Sequence, residues 1–311
     1  METPQYNNKP FQSIRALARG LGISECQLRD VAAHADRYYH PNKPEPKSDG
    51  TFRQHYRVEL VLKRIQEAIN KFIFYKTSFP VYLTGGIRDL DHPRDYIADA
   101  NAHAGGRLLI TEDIKDFFPS VHGHLVHSMW QYLYHLPPDV ADLLTKLTTY
   151  RDMLPQGAPT STYIGNLILW DDEPQLVATL ESLGIRYTRY VDNIALSGDR
   201  VYTRAELGKV TSLLYAMIYR HGLRPKRSKR SATTRHRTQL LHNLVINSGK
   251  PTLSRIAQAQ IRSAVHKYLQ EKATLLPDAR EQRYCSLLGR IKMLGRFHPR
   301  LASELLRVLN D

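Results

Sequence analysis

The chain has 311 residues, 42% of them hydrophobic and 24% charged, with a net charge of +14 at pH 7 and a mean hydropathy of -0.44. That is enough apolar sequence for a core divided among two or three packed subdomains, and no run of it is long enough to span a bilayer. Two distant cysteines, Cys26 and Cys285, exclude a disulfide framework and a four-cysteine zinc site. The N-terminal METPQYNNKPFQ lacks the basic-then-apolar pattern of a secretory signal, so the expectation is a soluble cytoplasmic protein with no membrane partner.

Residues 11–38 read as two short helices, the first carrying Ile14, Leu17, Ala18 and Leu21 and broken at Gly22, the second capped by Ser24. A helix-turn-helix likeness in LARGLGIS is outweighed by a packed helical hairpin, because the second helix is acidic at its start and poor in Arg. PNKPEPKSDG is a Pro-rich turn region ending in the hairpin signal Asp49-Gly50. HYRVELVLKRIQEAINKFIF predicts one amphipathic helix with Leu60, Leu62, Ile65, Ala68 and Ile69 near one face.

From Arg107 the pattern becomes mixed. GRLLITEDIKDFFPS predicts a buried strand ending in acidic residues, helices follow around 121–149, and LPQGAPTSTYIGNLILW is a Gly/Pro loop entering an apolar helix. IRYTRYVDNIALSG predicts a hairpin with Val191-Asp192 near its tip. Beyond residue 251 the chain is helical again, with Thr252 or Ser254 capping a helix that bears Ile256, Ile261, Ala264, Val265 and Leu269.

The charge is concentrated. Residues 207–270 hold thirteen Lys or Arg and no Asp or Glu, while the remainder is close to neutral. A one-sided field over so long a segment predicts polyanion binding, with Arg224, Lys226, Arg227, Arg230, Arg235, Arg237, Arg255, Arg262 and Lys267 as candidate nucleic-acid contacts. Asp113 and Asp192 each sit at the end of a predicted strand. Phosphoryl transfer with two metal ions needs carboxylates brought together from separate strands, although an isolated strand-end Asp is also an ordinary turn residue. His122, His124 and His127 in VHGHLVH have no Cys nearby and are expected to be exposed or substrate-facing rather than metal ligands.

TEDIKDFFPSV, LPQGAPTSTYIGNL and RYVDNIALSG resemble, in order and spacing, the three palm motifs of reverse transcriptases. Further segments resemble the bacterial retron branch. ADANAHAG is similar to its NAxxH motif through Ala100 and His103, with Asp99 where Asn is usual, and QLLHNLVIN is similar to its VTGLVVN segment, with Leu241-His242-Asn243 in place of VTG. IRSAVHKYL and SLLGRIKMLGRFHP look like its thumb helices.

The resemblance implies an α/β (α+β) right hand: fingers over 1–98, a palm over 99–247 with a small antiparallel sheet, and a basic helical thumb over 248–311. It implies Asp113 and Asp192 as ligands of two Mg²⁺ ions, with Mn²⁺ able to substitute. Asn193, in place of the second Asp of the Tyr-x-Asp-Asp motif, would keep an oxygen but no charge. Phe118 would exclude a ribose 2′-hydroxyl, Gln156 and Gly157 would lie against the incoming nucleotide, and Tyr190 would pack beside the primer end. Lys229 would approach the triphosphate or contact a backbone phosphate, and the basic residues named above, from Arg224 to Lys267, would bind RNA together with His103.

The implied reaction uses dNTPs to copy a structured noncoding RNA, primed from an internal guanosine 2′-hydroxyl to give branched RNA–DNA. An effector protein encoded nearby and a role in defence against phage are implied with it. Two alternatives stay open: a non-catalytic RNA-binding scaffold that lost turnover through Asn193, and a template-independent DNA polymerase of the abortive-infection type.

Overall fold

The computed structural model describes residues 2–47 and 50–310. Strand β1 (Gln5–Tyr6) leads into α1 (Ile14–Leu21), which ends at Gly22 with φ of 72°, a left-handed cap that glycine adopts without steric cost. Ser24 then caps α2 (Glu25–Ala33) by accepting from the Gln27 amide. Ile14, Leu17, Ala18 and Leu21 are buried, as their helical spacing predicts.

Four short strands follow: β2 (Tyr39–Pro41), β3 (Glu45–Pro46), β4 (Phe52–Arg53) and β5 (Tyr56–Val58), with β2 paired to β5 and β3 to β4. Gly50 has a positive φ between β3 and β4, while its hairpin partner Asp49 lies outside the described residues. The single helix expected from residue 55 onward is corrected here. Tyr56–Val58 is a strand because β2 offers it hydrogen bonds, and α3 spans Leu60–Phe72. Leu62, Ile65 and Ile69 are buried in α3 while Leu60 is exposed, so the buried face begins at Leu62, two residues later than its sequence suggests.

Strand β6 (Thr77–Ser78) returns to β1, and α4 (Tyr96–Ala102) is capped by the Asp95 carboxylate. Strand β7 (Leu108–Asp113) is followed by α5 (Phe117–Ser120), α6 (Gly123–Ser128), a π-helical turn over Met129–Leu133, and α7 (Pro138–Thr148). Next come α8 (Ser161–Leu167), α9 (Glu173–Ser182), the hairpin β8 (Ile185–Tyr190) and β9 (Asn193–Gly198), and α10 (Arg204–Arg220). Strands β10 (Ser231–Thr234), β11 (Leu240–Leu241), β12 (Leu244–Val245) and β13 (Thr252–Leu253) precede α11 (Arg255–Glu271), α12 (Pro277–Gly295) and α13 (Pro299–Asn310).

The central element is an antiparallel sheet of order β10-β7-β9-β8. Strand side chains alternate between faces, and this divides the molecule. Leu108, Ile110, Ile194, Leu196, Ile185 and Tyr187 join the larger core with α1–α3 and α7–α10. Leu109 and Ala195 face the other way and join a smaller core with Ala100, the β11-β12-β13 sheet and α11–α13. Ser254, rather than Thr252, caps α11, and Ile256 is exposed, leaving Ile261, Val265 and Tyr268 as its buried seam.

Candidate functional site

Asp113 is the last residue of β7 and pairs across to Asn193, the first of β9. Asp192 lies in the two-residue loop joining β8 to β9, so antiparallel pairing brings the two widely separated carboxylates to one end of the sheet. They line the same cavity of about 170 Å³ with Phe118, Gln156, Lys226 and Lys229. Burial pushes the Asp192 carboxyl above the usual range, and the neighbouring Asp113 charge pushes it the same way.

The loop carrying Asp192 is strained. Val191 has φ of 60°, an uncommon conformation for a β-branched residue. Two hydrogen bonds hold it: the Arg189 guanidinium donates to the Val191 carbonyl at 2.9 Å, and the Ile114 amide to the Asp192 carbonyl at 2.9 Å. Asn193 donates through Nδ2 to Asp192 Oδ1 at 3.0 Å, so its amide orients the carboxylate where a second Asp would repel it.

Arg189 is the residue that the motif reading overlooks. Fully buried, it contacts both Glu173 carboxylate oxygens, at 2.5 and 2.7 Å, and also donates to the carbonyls of Gly165 and Asn166. One guanidinium thereby ties the hairpin tip to α8 and α9. Its signal in the sequence is parity: in IRYTRYVDN it shares a strand face with Ile185 and Tyr187, which are buried.

Phe118 is half-buried at the cavity wall, its ring edge-to-face with the buried Phe117 at 5.6 Å. Gln156 lines the cavity, and its carbonyl accepts from the Tyr56 amide at 2.8 Å, which fastens the LPQG loop to β5. Gly157 is required by the backbone. Its φ is 107°, and a Cβ there would lie 2.8 Å from the Tyr56 carbonyl oxygen. Tyr190 sits half-buried against His242, ring centroids 4.8 Å apart.

The basic segment after α10 is threaded into the site. The Lys226 amide donates to the Asp113 carbonyl, and the Lys229 ammonium lies 2.7 Å from Asp113 Oδ2. Arg230 pairs with the buried Glu112 at 3.1 Å and donates to Thr211, while Arg227 reaches the Tyr219 hydroxyl. Arg224, Arg235 and Arg237 are exposed, the last two on a turn whose carbonyls accept from Asn247. On α11, Arg255, Arg262 and Lys267 are exposed opposite the buried seam.

His103 is corrected: it is fully buried and cannot meet RNA at the surface. Its Nδ1 and Nε2 are each 2.7 Å from a hydroxyl, of Ser197 and Thr188 respectively, on the sheet face opposite Arg189. Burial holds its pKa down to about 4, so the ring is neutral, one nitrogen donating and the other accepting. His122 and His124 are exposed, and His122 pairs with Asp152 at 3.2 Å.

Among the described residues no cluster of three or more His, Cys, Asp or Glu could hold a metal by itself. The donor chemistry at Asp113 and Asp192 nevertheless fits Mg²⁺, which is bound through one or two carboxylates with waters and substrate phosphates completing the shell. Two adjacent carboxylates, one with its pKa raised, are also relieved by a cation. Among the described residues no helix is long and apolar enough to cross a membrane.

No protein-family model matches the chain. It is 32% identical over 271 residues to the retron Se72 reverse transcriptase of Salmonella heidelberg, covering 86% of this chain and 70% of that one. To the retron Ec48 reverse transcriptase of Escherichia coli it is 29% identical over 303 residues, covering 93% and 73%. To the retron Ec86 reverse transcriptase, also from Escherichia coli, it is 27% identical over 258 residues, covering 82% and 78%. With these relatives matched over most of their length, and the motif carboxylates gathered at one end of the sheet, the chain belongs to the retron reverse transcriptases, RNA-directed DNA polymerases.

Proposed function

We propose that this chain copies a structured noncoding RNA into DNA by nucleotidyl transfer at Asp113 and Asp192. The larger core with β7–β10 would form fingers (1–98) and palm (99–247), and β13 with α11–α13 the main part of a thumb (248–311). The observation that carries the reading is the meeting of both carboxylates with Phe118, Gln156 and Lys229 around one cavity.

Asp113 and Asp192 would hold two Mg²⁺ ions, or Mn²⁺ in their place. Bound there, the ions would lower the charge cost of the attacking hydroxyl and of the leaving pyrophosphate. Phe118 would occupy the space of a ribose 2′-hydroxyl, which selects dNTPs. Gln156 and Gly157 would contact the incoming nucleotide, and Tyr190 the primer end. Lys229, now on Asp113, would exchange to a triphosphate oxygen when nucleotide enters. Asn193 would hold Asp192 in register without adding a second charge.

The exposed residues Arg224, Arg235, Arg237, Arg255, Arg262 and Lys267, with Arg227 beside them, would bind RNA phosphates. Arg255, Ala259, Arg262 and His266 form one helical stripe on α11, where the small Ala allows close approach. Priming from an internal guanosine 2′-hydroxyl, a branched RNA–DNA product, an effector encoded nearby, cytoplasmic location and a role against phage complete the proposal by likeness to the family. Incubating the purified protein and its co-purifying RNA with Mg²⁺ and labelled dNTPs, then with RNase, tests it. A labelled product that survives RNase and is templated by that RNA is expected. An untemplated product or none would favour the abortive-infection or scaffold alternatives.

A further inference from the structure

Two positions where the sequence departs from the retron pattern, Asp99 and His242, are 143 residues apart and meet in the fold. His242 Nε2 lies 2.6 Å from Asp99 Oδ2. Asp99, on α4, is 1% exposed, and its other carboxylate oxygen accepts from Thr84 Oγ1 at 2.8 Å. Burial opposes its charge, yet hydrogen bonds from His242 and Thr188 hold its carboxyl below the usual range. His242 and Asn243 form the two-residue loop between β11 and β12, both with positive φ (51° and 63°), the backbone of a tight hairpin turn. Leu241 and Leu244, on either side of that loop, are buried in the smaller core.

The imidazole faces Tyr190, ring centroids 4.8 Å apart at 58°. Gly85 approaches the same ring closely: a Cβ there would come within 2.9 Å of it. Tyr190, two residues before Asp192, is therefore walled by an imidazole and packed close to a glycine backbone. Thr84, next to Gly85, donates to Asp99 and approaches the Arg189 carbonyl at 3.3 Å.

We propose that Asp99 and His242 are a positioning pair that fixes the Tyr190 ring, so that the orientation of this one imidazole sets how the ring lies relative to Asp192. The proposal rests on the reading of Tyr190 as the residue beside the primer end. Asp99 orients the imidazole, and the imidazole forms the wall. Neither touches the reacting atoms. Loss of the wall is felt as misplacement of a bound primer rather than as weaker RNA binding.

Single-nucleotide addition on the protein–RNA complex tests this, with rate and dNTP KM measured separately. His242→Ala and Asp99→Ala are expected to lower the maximal rate roughly tenfold or more, with KM and RNA affinity little changed, since small displacements of reacting groups cost rate. Asp99→Asn keeps an acceptor for the imidazole and is expected to stay near the parent. His242→Gln keeps a donor to Asp99 without the ring. It should melt near the parent and still lose rate, which separates the wall from simple stability.

In a Tyr190→Ala background, His242→Ala and His242→Gln should cost almost nothing further, because the ring they position is gone. Multiplicative losses in that background, or a normal rate in His242→Gln, would overturn the proposal. A parent complex that adds no nucleotide counts against the polymerase reading instead. The melting-temperature cycle of His242 with Tyr190 then decides the pair, coupled shifts supporting it and additive shifts overturning it.

Discussion

The two faces of the four-stranded sheet stabilise the same hairpin by different physics. On one face, Arg189 and Glu173 form a fully buried ion pair amid apolar side chains, and the guanidinium spends its remaining donors on carbonyls of α8 and the hairpin tip. On the other, neutral His103 links the hydroxyls of Thr188 and Ser197, and the Asp99–His242 pair connects to the smaller core. The first arrangement is rigid and intolerant of a missing partner. The second can change protonation. Beyond it lies α11, whose exposed basic stripe faces away from its buried seam.

The largest expected effect is on the ion-pair face. Arg189→Ala leaves Glu173 buried without its cation and is expected to lower unfolding free energy by about 3–5 kcal/mol. Urea denaturation with the protein alone measures it. A loss below about 1 kcal/mol would mean water reaches Glu173, and that the two faces are not so different.

The other face is expected to show its character in pH dependence. His103 titrates near 6.5 when unfolded and at about 4 when folded, so its contribution is complete above pH 6.5 and is lost as pH falls to about 4. That corresponds to about 3 kcal/mol across the window. His103→Gln, which keeps a donor and an acceptor, should flatten the fall in stability between pH 6.5 and 5, above the range of ordinary carboxylates. An unchanged slope would show that His103 is not the titrating group.

A smaller effect distinguishes the two basic regions. Reversing Arg255, Arg262 and Lys267 to Glu is expected to weaken RNA binding and flatten its log–log salt dependence, with little change in melting temperature. Reversing Arg230 places a carboxylate against buried Glu112 and should lower melting temperature instead. Equal salt effects from both sets would erase the distinction. Smallest in free energy is Phe118→Ala, expected to fold and to admit ribonucleotides more readily, read as the ratio of rNTP to dNTP incorporation. An unchanged ratio in a folded variant would remove Phe118 from sugar selection.

What the sequence made legible follows from distance along the chain. The strand at 108–113, the hairpin with Val191-Asp192 at its tip and the caps at Gly22 and Ser24 are local patterns, and the structure has them. Tyr56–Val58 was hidden inside a helical periodicity because its partner strand lies at Tyr39–Pro41. The acid-free run 207–270 suggested a uniform polyanion-binding surface. Lys229 and Arg230 instead face carboxylates of β7, over a hundred residues earlier, which no local charge count reveals. His103 lay in a recognisable motif, but a motif does not state burial. Arg189 and Glu173 were readable one at a time as a strand and a helix residue, and only tertiary packing makes them a pair.

The central claim is that Asp113 and Asp192 form a working polymerase centre with Asn193 as the neighbour that orients Asp192. The direct measurement is a Mg²⁺ titration of DNA synthesis by the protein with its own RNA, run beside Asp113→Asn, Asp192→Asn and Asn193→Asp. The expected result is RNase-resistant DNA from the parent and from Asn193→Asp. Each of the other two variants should lose a factor of roughly a thousand or more, about 4 kcal/mol in the barrier, with RNA content unchanged. Synthesis near the parental rate in Asp113→Asn or Asp192→Asn would contradict the account, as would a parent that makes no DNA at any Mg²⁺ or Mn²⁺ concentration.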